Sequence, residues 1–137
     1  MEEIAFWLSL ILKMFTVYFA CIAVFTLKKR RRYPKAAPAT RFAVVVAARN
    51  EEAVIGNLVE SVLNQNYPAH LRDIYVVPNN CADYTEAAAV AAGAKIIHCL
   101  GNVKGKGDAL HHALGQLMRQ DYDAFVVFDA DNVLDRD

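Results

Sequence analysis

The sequence predicts an α/β fold: a parallel β-sheet wrapped by helices and preceded by one membrane-crossing helix. Three observations carry this reading. A 24-residue apolar run lies near the N-terminus; short apolar runs then alternate with segments of helical period; and polar residues gather where the apolar runs end. Each element can be justified in turn.

Ile4 to Leu27 contains one charge, Lys13. As a helix it reaches about 36 Å, against a hydrocarbon core of about 30 Å. A lysine near the bilayer centre costs about 2.5–3.5 kcal/mol. Thirteen Leu, Ile, Val and Phe residues, at about −0.3 to −0.6 kcal/mol each, outweigh it. Lys13 is then left to snorkel or to pair with another helix. Glu2 and Glu3 precede the run and Lys28, Lys29, Arg30, Arg31 and Arg32 follow it, so the positive-inside rule puts the C-terminal side in the cytoplasm. A cleaved signal peptide would carry its basic residues before the apolar run and a small-residue cleavage site after it. The basic cluster reads as a stop-transfer collar, with attraction to anionic lipid as a second use. Trp7 and Tyr33 suit the membrane interface. The expected organisation is a tail at 1–3, a span at 4–27 in the lipid bilayer of the cell membrane, a basic linker with Pro34 and Pro38 at 28–41, and a folded domain at 42–137.

Within that domain, Phe42–Ala48 is continuously apolar, as a strand buried on both faces should be. Val54 to Leu63 places apolar residues at 54, 55, 58, 59, 62 and 63, a helical period ended by Asn64-Gln-Asn-Tyr-Pro68. Ile74–Val77 is a second strand, Thr85–Ala92 an alanine-rich helix stopped by Gly93, and Ala94–His98 a third strand. A loop from Gly101 to Gly107 opens a helix from about Asp108 to Arg119, and Ala124–Phe128 is the fourth strand. Regular alternation of this kind implies right-handed crossovers and a parallel sheet.

The chain is formally neutral, but the charge is divided. Seven of the 15 basic residues fall between Lys28 and Arg41, while from Phe42 onward seven basic residues face 13 acidic ones, a balance of about −6. An acidic domain excludes a nucleic-acid partner. Cys21, Cys81 and Cys99 are odd in number and widely spaced, which fits a reducing compartment and neither a disulfide framework nor a metal knot. His111 and His112 are adjacent on one helix, so their side chains diverge by about 100° and do not share a metal. His70 and His98 carry no partner pattern either.

In open parallel sheets, ligands bind beyond the carboxyl ends of the strands, near the reversal of strand order. Here those ends read Arg49-Asn50-Glu51, Asn79-Asn80-Cys81-Ala82-Asp83 and Asp129-Ala130-Asp131. In an extended chain residues i and i+2 share a side, so Asp129 and Asp131 are expected to offer two carboxylates to one volume. Two close carboxylates suit a hard cation such as Mg²⁺ or Mn²⁺, which binds through one or two of them plus substrate phosphates. Asp-x-Asp alone is common in loops. Its neighbours raise its value: Glu51 and Asp83 can accept hydrogen bonds from a base or ribose, and Lys104 or Lys106 can reach phosphate. The glycine-lysine loop is not a P-loop, because Leu100 stands where the first glycine belongs and Gly107 replaces the Ser/Thr. No Gly-x-Gly-x-x-Gly follows the first strand. Arg49 is placed either to contact phosphate or to pair with Asp129.

Together, Val44–Glu51, Asn79–Asp83, Gly105–Gly107 and Phe128–Asn132 resemble the successive motifs of family 2 glycosyltransferases of the GT-A fold, a Rossmann-like parallel sheet. The resemblance covers about residues 42–137. It implies a nucleotide-sugar site, UDP-sugar first among the donors, formed by Ala48, Arg49, Glu51, Asn80, Asp83, Lys106, Asp129, Ala130 and Asp131. Asp131, with Asp129 beside it, would hold the diphosphate-bound Mg²⁺ or Mn²⁺. It further implies inverting transfer to an acceptor hydroxyl on a glycan or lipid, in polysaccharide or glycolipid synthesis. In that family an acceptor-side half, bearing the general base, follows the Asp-x-Asp motif. Six residues follow Asp131 here, so the chain is expected to be an incomplete donor half, ending after about four strands, with little transfer activity alone. A noncatalytic, membrane-anchored nucleotide-sugar-binding module is the alternative. A nucleotidyltransferase fits less well, since Ala48–Glu51 stands where its glycine-rich loop would be.

Overall fold

The computed structural model describes residues 1–26, 36–101 and 103–136 in two separate units, Met1–Ala36 and Ala37–Asp137. Leu27, the Lys28–Arg32 cluster, Tyr33 and the first part of the linker lie outside the described residues, as do Asn102 and Asp137.

The first unit is one helix, α1 (Glu2–Thr26), of 25 residues. It starts two residues before the apolar run, since Ala5 N–H already reaches Met1 O at 3.1 Å. Its length and composition suffice to cross a membrane, and none of its residues is buried within the unit.

The second unit is a four-stranded parallel sheet, β1 (Phe42–Ala48), β2 (Arg72–Pro78), β3 (Lys95–Ile96) and β4 (Ala124–Phe128), in the order β3-β2-β1-β4. The connections are α2 (Ile55–Leu63), α3 (Thr85–Ala91) and α4 (Lys106–Leu117), with a short 3₁₀ turn at Ala69–Leu71 before β2. The central strands are apolar because both faces are covered. Val44, Val46, Ile74 and Val76 pack on Ile55, Leu58, Val59 and Val62 of α2 and on Ala89 of α3. Ala43, Val45, Tyr75 and Val77 face Ala109, Ala113 and Leu117 of α4 on the other side. That division follows from handedness: α2 and α3 carry the chain outward from β1 to β3, and α4 carries it back across the sheet, so it crosses on the opposite face. The reversal of direction falls between β1 and β4.

The third strand is shorter than Ala94–His98. Two residues pair with β2 at Tyr75 and Val76, after which Ile97 N–H adds one bond to Val76 O at 3.0 Å and the edge peels away. Helix α4 begins at Lys106 rather than Asp108, with extended Gly105 before it and the Asp108 carboxylate accepting Lys104 N–H at 3.0 Å. Gly93 closes α3 at φ +102°, where a Cβ would also press on Leu63 at 3.2 Å.

The amino edge of the sheet is tied by Asp73. Its carboxylate accepts from Tyr122 at 2.7 Å, from Arg41 at 3.3 Å and from Lys95. Tyr122 also bonds Tyr75 at 2.7 Å, and Arg41 lies over its ring at 4.7 Å. One network therefore joins β2 and β3 to the segments that enter β1 and β4.

Candidate functional site

At the opposite, carboxyl edge a cleft of about 320 Å³ opens at the reversal point between β1 and β4. Ala47, Ala48, Arg49 and Glu51 contribute from β1 and its exit, Asn79 from the end of β2, Gly105 and Lys106 from the start of α4, and Asp129, Ala130 and Asp131 from the exit of β4. Seven of the nine residues expected at the site therefore meet on one lining: Ala48, Arg49, Glu51, Lys106, Asp129, Ala130 and Asp131.

The two acidic residues meet by a different route from the extended one expected. Strand β4 stops at Phe128, and Asn132 N–H closes on Asp129 O at 3.1 Å, so Asp129–Asn132 is a turn. Ala130, 5% exposed, packs into the core and anchors that turn, leaving both aspartates exposed beside the cleft. The Asp129 carboxylate pairs with the Lys106 ammonium, not with Arg49. A cation thus already sits on Asp129.

Asp83 and Asn80 stand outside this lining. The Asp83 carboxylate folds back on its own loop, with Oδ1 accepting from Thr85 N–H at 3.1 Å and from the Thr85 hydroxyl, and Oδ2 from Glu52 N–H at 3.1 Å. The Thr85 hydroxyl first, with the backbone amides, holds the Asp83 carboxyl below its ordinary value against the opposing cost of desolvation. Asn80, in a left-handed conformation at φ 50°, donates to Val103 O at 3.1 Å. These two side chains hold loops together.

Three lining residues, Ala47, Asn79 and Gly105, are not among the nine expected, and of these Asn79 is the one with a polar side chain. It is 5% exposed, its N–H bonds Ala48 O at 2.9 Å, and its Oδ1 is buried without a hydrogen-bond partner among the described residues. An unpaired buried carbonyl costs about 1–3 kcal/mol. The available signal was its place one residue beyond β2, level with the exit of β1.

For a cofactor, the donors on the cleft are the oxygens of Asp129 and Asp131, with Glu51 on the same lining. No group of three His, Cys, Asp or Glu side chains able to cage a metal occurs among the described residues. That donor set fits a cation that relies on ligand phosphates for the rest of its shell, as Mg²⁺ and Mn²⁺ do, and does not fit an all-protein site.

An open parallel sheet of this order, with an Asp-x-Asp turn at its reversal point, has the GT-A architecture. Residues 38–137 match the model of the glycosyltransferase-like family 2, and the chain belongs to that family. It is 31% identical to a beta-monoglucosyldiacylglycerol synthase of Synechocystis sp. over 73% of this chain and 22% of that protein. It is likewise 31% identical to a 4,4'-diaponeurosporenoate glycosyltransferase of Staphylococcus aureus, over 80% of this chain and 29% of that protein. The chain thus spans less than a third of the length of these relatives. Among solved structures, a Pyrobaculum calidifontis mannosyltransferase in complex with GDP-Man and Mn²⁺ has a TM-score of 0.68 at 20% identity, over 86% of this chain and 35% of that one. A Mycobacterium tuberculosis glucosyl-3-phosphoglycerate synthase in complex with Mg²⁺ and UDP has a TM-score of 0.56 at 28% identity, over 69% and 34%.

Proposed function

We propose that this chain forms the donor-binding part of a membrane-anchored glycosyltransferase that takes a nucleotide-sugar, UDP-sugar first among candidates, together with Mg²⁺ or Mn²⁺. The observation that carries the reading is the acidic turn Asp129–Asp131 facing Lys106 and Glu51 across one cleft at the strand-order reversal. In this reading Asp131, aided by Asp129, would hold the cation, whose charge would stabilise the departing diphosphate. Lys106, paired with Asp129 in the structure, would be free to hold phosphate if the carboxylate were taken by a cation. Glu51 and Asn79 face the nucleoside, where the unpaired Asn79 Oδ1 finds a donor. Arg49 serves phosphate.

The transfer inverts the anomeric centre, and the acceptor is a membrane lipid or a glycan. A lipid is favoured by α1 and by the name of the Synechocystis relative, which denotes synthesis of a monoglucosyldiacylglycerol. The soluble domain works at the cytoplasmic face, with the basic residues after α1 as its collar. Calorimetry with UDP and Mn²⁺ tests the site. Wild type should bind UDP in a Mn²⁺-dependent manner and Asp131→Ala should lose at least about tenfold, or 1.4 kcal/mol. Equal affinity in the two proteins would remove Asp131 from the site.

A further inference from the structure

The hydrogen bonds around Asp83 give it a use that its motif does not suggest. The exit of β1 and the start of α3 are sewn together residue by residue. Ala82 N–H donates to Asn50 Oδ1 at 2.8 Å, Glu51 N–H to Thr85 Oγ1 at 2.8 Å, Glu52 N–H to Asp83 Oδ2 at 3.1 Å, and Tyr84 N–H to Glu52 Oε2 at 3.1 Å. Asn50 carries a φ of 56°, so the chain turns sharply there and needs external fixing. Thr85 is fully buried, and its hydroxyl works in both directions: it donates to Asp83 and accepts from Glu51 N–H. The chain of bonds therefore runs from the Asp83 carboxylate through the Thr85 hydroxyl to the Glu51 backbone, and Glu51 lies on the cleft while Asp83 does not.

We propose that Asp83 and Thr85 are positioning residues that fix the Glu51 backbone at the edge of the cleft, so that Asp83 acts on a bound nucleotide through Glu51 and not by touching it. An ionised Asp83 can only accept, which forces the Thr85 hydroxyl to spend its proton on the carboxylate and leaves its lone pairs for Glu51 N–H. That ordering fixes the direction of every bond in the relay. The effect on nucleotide rests on the proposed reading of the cleft; the effect on the backbone does not.

The experiment has two arms, both on the full chain in detergent micelles. Without ligand, amide hydrogen exchange at Glu51 should quicken about tenfold in Thr85→Val and at Glu52 by a similar factor in Asp83→Asn, while both amides should keep wild-type values in Thr85→Ser, which retains the hydroxyl and the carboxylate. With UDP and Mn²⁺, Asp83→Asn should weaken binding about fivefold in the wild-type background and not at all in Glu51→Ala, because the fixed backbone acts on nucleotide through the Glu51 side chain, which that variant lacks. Unchanged exchange in Thr85→Val and Asp83→Asn overturns the proposal, as do additive losses in the double variant, which would mean direct contact by Asp83. Should Thr85→Val not fold, the Asp83→Asn and Thr85→Ser pair decides the first arm. Absence of UDP binding by wild type overturns the nucleotide reading and the coupling to it, while the exchange arm still decides whether Asp83 and Thr85 hold Glu51.

Discussion

Replacing Lys106 with Met should move the affinities of the two expected ligands in opposite directions. Lys106 and Asp129 form an ion pair whose side chains are 49% and 61% exposed. Solvent screens such a pair, and its worth is about 0–1 kcal/mol. A divalent cation approaching Asp129 alone must displace the ammonium, so its affinity is lowered by at most about fivefold. Lys106→Met keeps the length of the side chain and abolishes this competition, and Mn²⁺ without nucleotide should bind up to about fivefold more tightly. UDP at saturating Mn²⁺ should bind about tenfold more weakly, because a charge-assisted contact to phosphate contributes about 1.5 kcal/mol at an exposed position. Titration calorimetry of the two ligands against wild type, Lys106→Met and Lys106→Arg measures both. The gain in Mn²⁺ affinity should shrink at high salt, where the wild-type pair is already screened. A parallel loss of both affinities in Lys106→Met would refute the reasoning, since it would make Lys106 a support of the fold and not a competitor for Asp129.

Three further outcomes follow from the packing and charge of the chain. Asp73→Asn should destabilise the domain by about 2–4 kcal/mol, because Lys95, Tyr122 and Arg41 converge on a carboxylate only 18% exposed. Burial opposes ionisation of Asp73, yet the bonds from Lys95, Tyr122 and Arg41 together lower its pKa. Its contribution is therefore complete above the unfolded value of 3.8 and is lost as the pH falls through the lower folded value, so denaturation curves of wild type and Asp73→Asn should converge in acid. Leu58→Ala, at a fully buried position of α2 against the sheet, should cost about 2–5 kcal/mol in urea unfolding. Lys13→Leu should favour insertion of α1 by about 3 kcal/mol in a translocon assay, and no gain would place Lys13 away from the bilayer centre.

Strand β1 was legible because two-sided burial leaves a plain mark at Phe42–Ala48, and β4 has the bounds of its apolar run, Ala124–Phe128, although it lies at an edge with Val127 exposed. Strand β2 extends beyond Ile74–Val77 because Arg72, Asp73 and Pro78, polar or cyclic, still pair with β1 through the backbone, which leaves no trace in hydropathy. Strand β3 pairs with β2 at Lys95 and Ile96 only, with one further bond from Ile97 N–H to Val76 O, and its apolar run carries no mark of where that pairing stops. At the candidate site, the residue types pointed to the carboxyl edge of the sheet, where the cleft opens, but not to the direction of each side chain. Asp83 looks like a ligand residue by composition, and its carboxylate is taken by two amides and a hydroxyl of its own and the neighbouring loop. Asn79 looks like a loop residue and is buried because the β1–β2 register continues one bond further, to Ala48 O.

On the proposed reading, the carboxyl edge of the sheet at Asp129–Asp131 takes a nucleotide diphosphate and its cation. Paramagnetic broadening by Mn²⁺ in the presence of UDP tests it most directly, residue by residue, on the isotope-labelled full chain. Amides at 49–51, 106 and 129–131 should broaden first, while Asp73 and Lys95 at the opposite edge keep their intensity. Broadening centred elsewhere, or broadening unchanged by Asp131→Ala, would contradict it.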